Sequence, residues 1–206
     1  MLPRAQRGRA GCYFLQHLNF EVAFSIDELS EQYVVWDADT LPMSADLRFF
    51  DATGKTIFYM NQEPMNQTAP AALAYHNVVE MLTGLRVEHP RGRNFVSHFM
   101  VFRRTWAQEV TRHVATWLGV EADDWARAAT RLIGAPYLGP AGFTSGFADY
   151  ELYGAWVLIF HPNMFLMDTD WWQTRHARYS LPLQTTSVGR VPCQRGRYGA
   201  GMRVGT

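Results

Sequence analysis

Two aspartates, Asp37 and Asp39, follow directly on the apolar run YVVW (33–36). Residues two apart on a strand point to the same side, so both carboxylates can address one point. Two unpaired carboxylates at such a spacing repel. A divalent cation removes that cost, and Mg2+ typically takes one or two carboxylates together with substrate phosphates. A covalent chemistry with the first carboxylate as nucleophile, and a plain polar turn, stand beside this reading. A second group lies in GFTSGFADYELYGAW (142–156), where Thr144 or Ser145 can cap a helix whose first turns carry Asp149 and Glu151. Residues two apart on a helix diverge by about 200°, so only one of these carboxylates can face a given site. A carboxylate near a helix start is stabilised as an anion, which suits a general base; Glu151 is favoured for it, with Asp149 as an electrostatic anchor. Phe147, Tyr150 and Tyr153 surround the pair with the aromatic faces that commonly hold sugars, against the competing reading of an ordinary acidic first turn. The third group is RGRNFVSHFMVFRR (91–104). Here His98 and Met100 share one strand face, while Arg91, Arg93, Arg103 and Arg104 either meet phosphates or form a plain basic surface. A lone strand histidine is more often structural than a ligand.

The elements that must position these groups are readable from pattern. Residues 11–31 read as one helix or two, and YVVW as a short, fully buried strand. GKTIFYM (54–60) reads as a strand, and Pro70 opens a helix over 70–84 that Gly84 can close. FVSHFMVF (95–102) alternates as a strand. Trp106, Val110, Val114 and Trp117 stand at helical spacing in a segment ended by Gly119, and 122–134 reads as another amphipathic helix. A Gly/Pro-rich loop (134–146) leads into 147–162, read as a short helix running into a strand. Strands alternating with helices predict an α/β fold with a mainly parallel central sheet and helices on its flanks. One domain is expected over 1–183, followed by a Gly/Arg-rich tail over 184–206 with no acidic residue.

The totals exclude several classes. The chain of 206 residues is long enough for a real core, and its net charge of zero gives no global argument for nucleic acid or an anionic membrane. Aromatics reach 14% with seven Trp, which fits either a ring-binding pocket or a Trp-rich core. Cys12 and Cys193 are the two cysteines, so a disulfide framework or zinc ribbon is not expected and a reducing, cytoplasmic compartment is. No run approaches the roughly 18 apolar residues of a membrane span, so no integral membrane segment is expected. Gln16, His17, Asn19 and Glu21 interrupt the early apolar stretch, which argues against a signal peptide.

The D-x-D-x-[TV] pattern of haloacid-dehalogenase phosphatases is discounted: Leu41 fills its fifth position, and Lys55, the chain's single lysine, sits too close behind it. VVWDADTLPM, NFVSHFMVFRR and GFADYELYGAWV, in that order, instead resemble the metal-dependent glycosyltransferases of the GT-A fold, and within that group an uncharacterised bacterial family. The resemblance spans roughly residues 10–175. It implies Mn2+ or Mg2+ held against the diphosphate of a nucleotide-sugar, with Asp39 a direct ligand and Asp37 on the ribose or a metal-bound water. It also implies one of Asp149 and Glu151 as the base toward an unknown glycan or small-molecule acceptor, with His98, Met100, Tyr150 and Tyr153 lining the substrate. A late histidine completes the metal shell in such enzymes; His161 is the nearest candidate, with His176 behind it. Only 36 residues precede Asp37, which implies an N-terminally shortened domain with an incomplete nucleotide-binding half. The alternative is a non-catalytic carbohydrate- or partner-binding remnant of the same fold.

Overall fold

The computed structural model describes residues 10–38, 47–60, 70–86, 94–133 and 147–168. In chain order these form α1 (Ala10–Ser25), β1 (Gln32–Trp36), β2 (Thr56–Tyr59), α2 (Pro70–Thr83), β3 (Phe99–Arg103), α3 (Arg104–Leu118), a 3-10 turn (Ala122–Asp124), α4 (Trp125–Ile133), α5 (Asp149–Phe160) and β4 (Phe165–Asp168). The fold is mixed α/β.

Several boundaries follow directly from residue chemistry. Gly84 closes α2 in the left-handed region, at φ 69°, and donates its N–H to the Glu80 carbonyl at 2.7 Å. Gly119 closes α3 at φ 68° in the same way. Side chains at 106, 110 and 114 of α3 are buried, as their spacing predicts.

The strands differ from expectation. Among the described residues, β1 pairs with β3 antiparallel, with Trp36 opposite Phe99 and Gln32 opposite Arg103. β2 pairs with β4 in parallel, with Thr56 opposite Phe165. A mainly parallel central sheet is therefore not what these four strands form. Alternation of strands and helices does not by itself fix direction. Here β3 runs straight into α3, and the Arg104 N–H binds the Glu31 carbonyl at 2.7 Å, closing the antiparallel pair. β1 is also not fully buried. Val34 is 41% exposed, while Tyr33 stacks on Phe102 and Trp36 on Phe99 at 4.8 Å. The strand read over 95–102 is shorter at its start, beginning only at Phe99.

The core wraps α5. Every side chain from Asp149 to Val157 is buried, so α5 is enclosed around its whole girth. The WVLIF run (156–160) suggested a strand, yet it continues the helix to Phe160, and the strand begins at Phe165. β-branched and aromatic content describes burial as much as extended backbone, and here tertiary packing decides. Aromatic rings fill the space around α5. Tyr153 stacks on Phe102 at 4.1 Å, and Phe58 meets Phe95, Tyr153 and Phe165. Among the described residues the aromatic side chains are thus largely core.

Among the described residues no helix is long and apolar enough to cross a membrane.

Candidate functional site

The first turn of α5 presents its two carboxylates in different directions, as their helical spacing requires. Its N-cap is Ala148, which makes no side-chain cap bond; Thr144 and Ser145 lie outside the described residues. Asp149 is 2% exposed, and its Oδ2 accepts from Asn19 Nδ2 of α1 at 2.6 Å. Glu151 is fully buried. Its Oε2 accepts the Phe95 backbone N–H at 2.8 Å, and its Oε1 lies 3.8 Å from His76 Nε2 of α2. The His76 side chain is 24% exposed, so it is the solvent-facing member of that pair.

One helix turn further on, Gly154 lies on the same side as Glu151 and accommodates the Phe95 ring. A Cβ there would sit 2.6 Å from both ring Cδ atoms. Glu151 therefore holds the backbone of Phe95 while Gly154 makes room for its side chain.

At the end of the β1–β3 pair, the Asp37 N–H donates to the His98 carbonyl at 2.8 Å. His98 Nδ1 lies 3.1 Å from Asp37 Oδ2, with the two side chains 20% and 14% exposed. The stretch 95–98 thus binds Glu151 at its first residue and Asp37 at its last. Four residues of extended chain span at most about 14 Å, so both groups belong to one end of the molecule. Tyr150 strengthens the link, since its hydroxyl donates to the Val35 carbonyl at 3.3 Å, two residues before Asp37.

Other predicted site residues lie elsewhere. His161 caps the far end of α5, where its Nε2 is 2.6 Å from Glu109 Oε2 and its ring stacks on Trp106 at 4.5 Å. Twelve helical residues separate that end from Asp149 by about 18 Å. Trp106 in turn lies under the Arg103 guanidinium, at the opposite end of β3 from His98. The structure therefore does not bring His161 to Asp37. Asp39 and His176 lie outside the described residues. Among the described residues no group of three His, Cys, Asp or Glu side chains gathers to hold a metal ion.

Met100, Tyr150 and Tyr153 are 2%, 1% and 0% exposed, which places them in the core. The Tyr153 hydroxyl accepts the Arg103 N–H at 2.7 Å, and burial pushes its phenol well above the usual value, keeping it neutral.

Sequence reasoning missed His76. Its one local signal is a histidine on the otherwise unremarked face of α2, and nothing in sequence connects it to a carboxylate 75 positions later.

No family model matches this chain, and no curated protein or solved structure does either.

Proposed function

We propose that this chain transfers a sugar from a nucleotide-sugar to a hydroxyl acceptor, at the end of the molecule shared by Asp37 of β1 and the start of α5. What carries the reading is the stretch 95–98, tied to Glu151 at one end and to Asp37 at the other. A transferase needs its base and its diphosphate-binding group held at one end of the molecule, with room for a sugar between them. In this reading the β1–β3 and β2–β4 pairs are parts of a GT-A-like sheet.

The roles differ from those expected from spacing. Glu151 is enclosed and already bound, so it serves as a positioning residue. His76, reaching solvent in front of it, takes the proton from the acceptor hydroxyl. On the donor side Asp37 would give its carboxylate to a divalent cation, with His98 orienting it as outer-shell partners do. One or two carboxylates plus phosphate oxygens suffice for Mg2+, so Asp37 with Asp39 fits such an ion. When bound, Mn2+ or Mg2+ would neutralise the charge developing on the leaving diphosphate.

A second reading has its own observation. Asp149 and Glu151 are both buried and both bonded within the protein. That is what a non-catalytic carbohydrate- or partner-binding remnant would retain.

Calorimetry with Mn2+ and a panel of nucleotide-sugars separates the two. The expected result is metal-dependent binding that Asp37→Asn abolishes. Glu151→Gln should keep binding and the Phe95 contact yet lose transfer by roughly a hundredfold or more. Equal binding by Asp37→Asn and the parent would refute the donor site, and sugar binding without any nucleotide dependence would establish the remnant.

A further inference from the structure

The stretch 95–98 joins Glu151 to Asp37, yet it is not part of a strand, since β3 begins only at Phe99. Irregular backbone inside a protein must satisfy its polar groups locally, and two buried polar side chains contribute to that here. Asn94 is buried, and its Oδ1 accepts the Val96 N–H at 2.8 Å. Ser97 is buried as well and donates its hydroxyl to the Phe99 carbonyl. The Asn94 bond makes an Asx turn, in which an asparagine side chain closes on the backbone two residues ahead.

The N–H enclosed by this turn is that of Phe95, which donates to Glu151 Oε2 at 2.8 Å. Closing the turn fixes the peptide between residues 94 and 95, and with it the direction of that N–H. Glu151 is held by this bond through one oxygen, while the other stands 3.8 Å from His76 Nε2. The turn at Asn94 is therefore the first link of a chain of contacts that ends at the imidazole. A turn of purely structural use would serve equally well with its enclosed N–H on any acceptor.

We infer that Asn94 is a positioning residue: its side chain, through Phe95 and Glu151, sets where Glu151 stands against His76. Its importance for catalysis rests on the transfer proposed above. A group set for proton transfer loses up to about a hundredfold in rate when displaced by about 1 Å. The loss should fall on transfer and spare donor binding, because the other end of the stretch has its own bond. There the Asp37 N–H donates to the His98 carbonyl.

The test compares the full chain with its Asn94→Ala and Asn94→Ser variants. Alanine removes the acceptor, whereas a serine hydroxyl makes the same turn more weakly, so serine should lie between alanine and the parent. Without substrate, the Phe95 amide of Asn94→Ala should exchange roughly tenfold faster or more, and the His76 ring signals should move in NMR spectra. With Mn2+ and a nucleotide-sugar, transfer should fall by about tenfold to a hundredfold at unchanged donor affinity. If the alanine variant fails to fold, the serine variant carries the same readings at smaller size. Unchanged Phe95 exchange and His76 signals would overturn the inference. Equal losses of transfer and donor affinity would overturn it too, since a general loosening produces them. A parent without transfer would refute the proposed function alone, and exchange and ring signals would still decide whether Asn94 sets Glu151 against His76.

Discussion

Replacing Gly154 with alanine tests the packing on which the candidate site rests. In an exposed helix the change would stabilise by about 1 kcal/mol, because glycine is the poorer helix former. Here the new Cβ would meet three carbons of the Phe95 ring, two of them at 2.6 Å, whereas ordinary contact begins at 3.4 Å. The ring must therefore retreat by about 1 Å, a displacement that a close-packed interior resists. It cannot swing away freely. Phe95 is fully buried, meets Phe58 edge-on, and is tethered through its N–H to Glu151. Overpacking of this kind costs about 1–3 kcal/mol, and the upper part of that range applies to a multi-atom clash. After the helix-propensity gain, the net loss is about 1–2 kcal/mol. In a chain of this size that lowers the melting temperature by roughly 2–8 °C. Urea unfolding and thermal melts measure the loss, and amide exchange at Phe95 should quicken as its bond to Glu151 lengthens. Gly119→Ala is the control: at φ 68° with nothing within 4 Å, it should cost about 1 kcal/mol from backbone conformation while leaving Phe95 exchange untouched. A Gly154→Ala protein that melts at or above the parent temperature would refute the reasoning.

Two further outcomes follow from buried side chains. Burial lowers the His17 pKa to about 4 from the ordinary 6.5, so the unfolded chain takes up that proton first as pH falls; the stability is whole above pH 6.5 and drains away toward pH 4. At pH 5 the loss is about 2 kcal/mol, one and a half pH units at about 1.4 kcal/mol each. His17→Gln should flatten this part of the acid profile in urea unfolding, and parallel profiles would sink the assignment. Tyr153→Phe removes the acceptor of the Arg103 N–H and should cost about 1–2 kcal/mol in the same assay with nucleotide-sugar binding unchanged. Lost binding at unchanged stability would instead return Tyr153 to a substrate-lining role.

Local chemistry made some of this legible in the sequence. Pro70 and Gly84 bound α2, and Gly119 ends α3, because each acts through its own φ and needs no distant partner. The direction of β1 did not show, since pairing with β3 is settled 60 residues later by where α3 begins. The site shows the same division. Asp37 and Asp149 could be picked out as carboxylates at element ends, but the partner of each depends on packing. His98 for Asp37 and Asn19 for Asp149 are separated from them by 61 and 130 positions. The burial of Tyr150, Tyr153 and Met100 was not legible for a different reason. Large amphipathic side chains suit a ligand pocket and a core alike, and only enclosure on all sides of α5 decides between them.

The buried first turn of α5 raises the question of why it carries charge at all. Asp149 and Glu151 each accept a bond that asparagine or glutamine would also accept, from Asn19 Nδ2 and from the Phe95 N–H. Neutral amides would avoid the desolvation cost of an enclosed carboxylate. The helix N-terminus offsets part of that cost for both residues and so does not distinguish them. Glu151 also has its second oxygen 3.8 Å from Nε2 of His76, whose side chain is 24% exposed. In the proposed transfer, a carboxylate there would steady a proton on the imidazole, which an amide would not, and His76 is the more exposed member of the pair. On that proposal, the charge at Glu151 gains a purpose when His76 has a proton to accept.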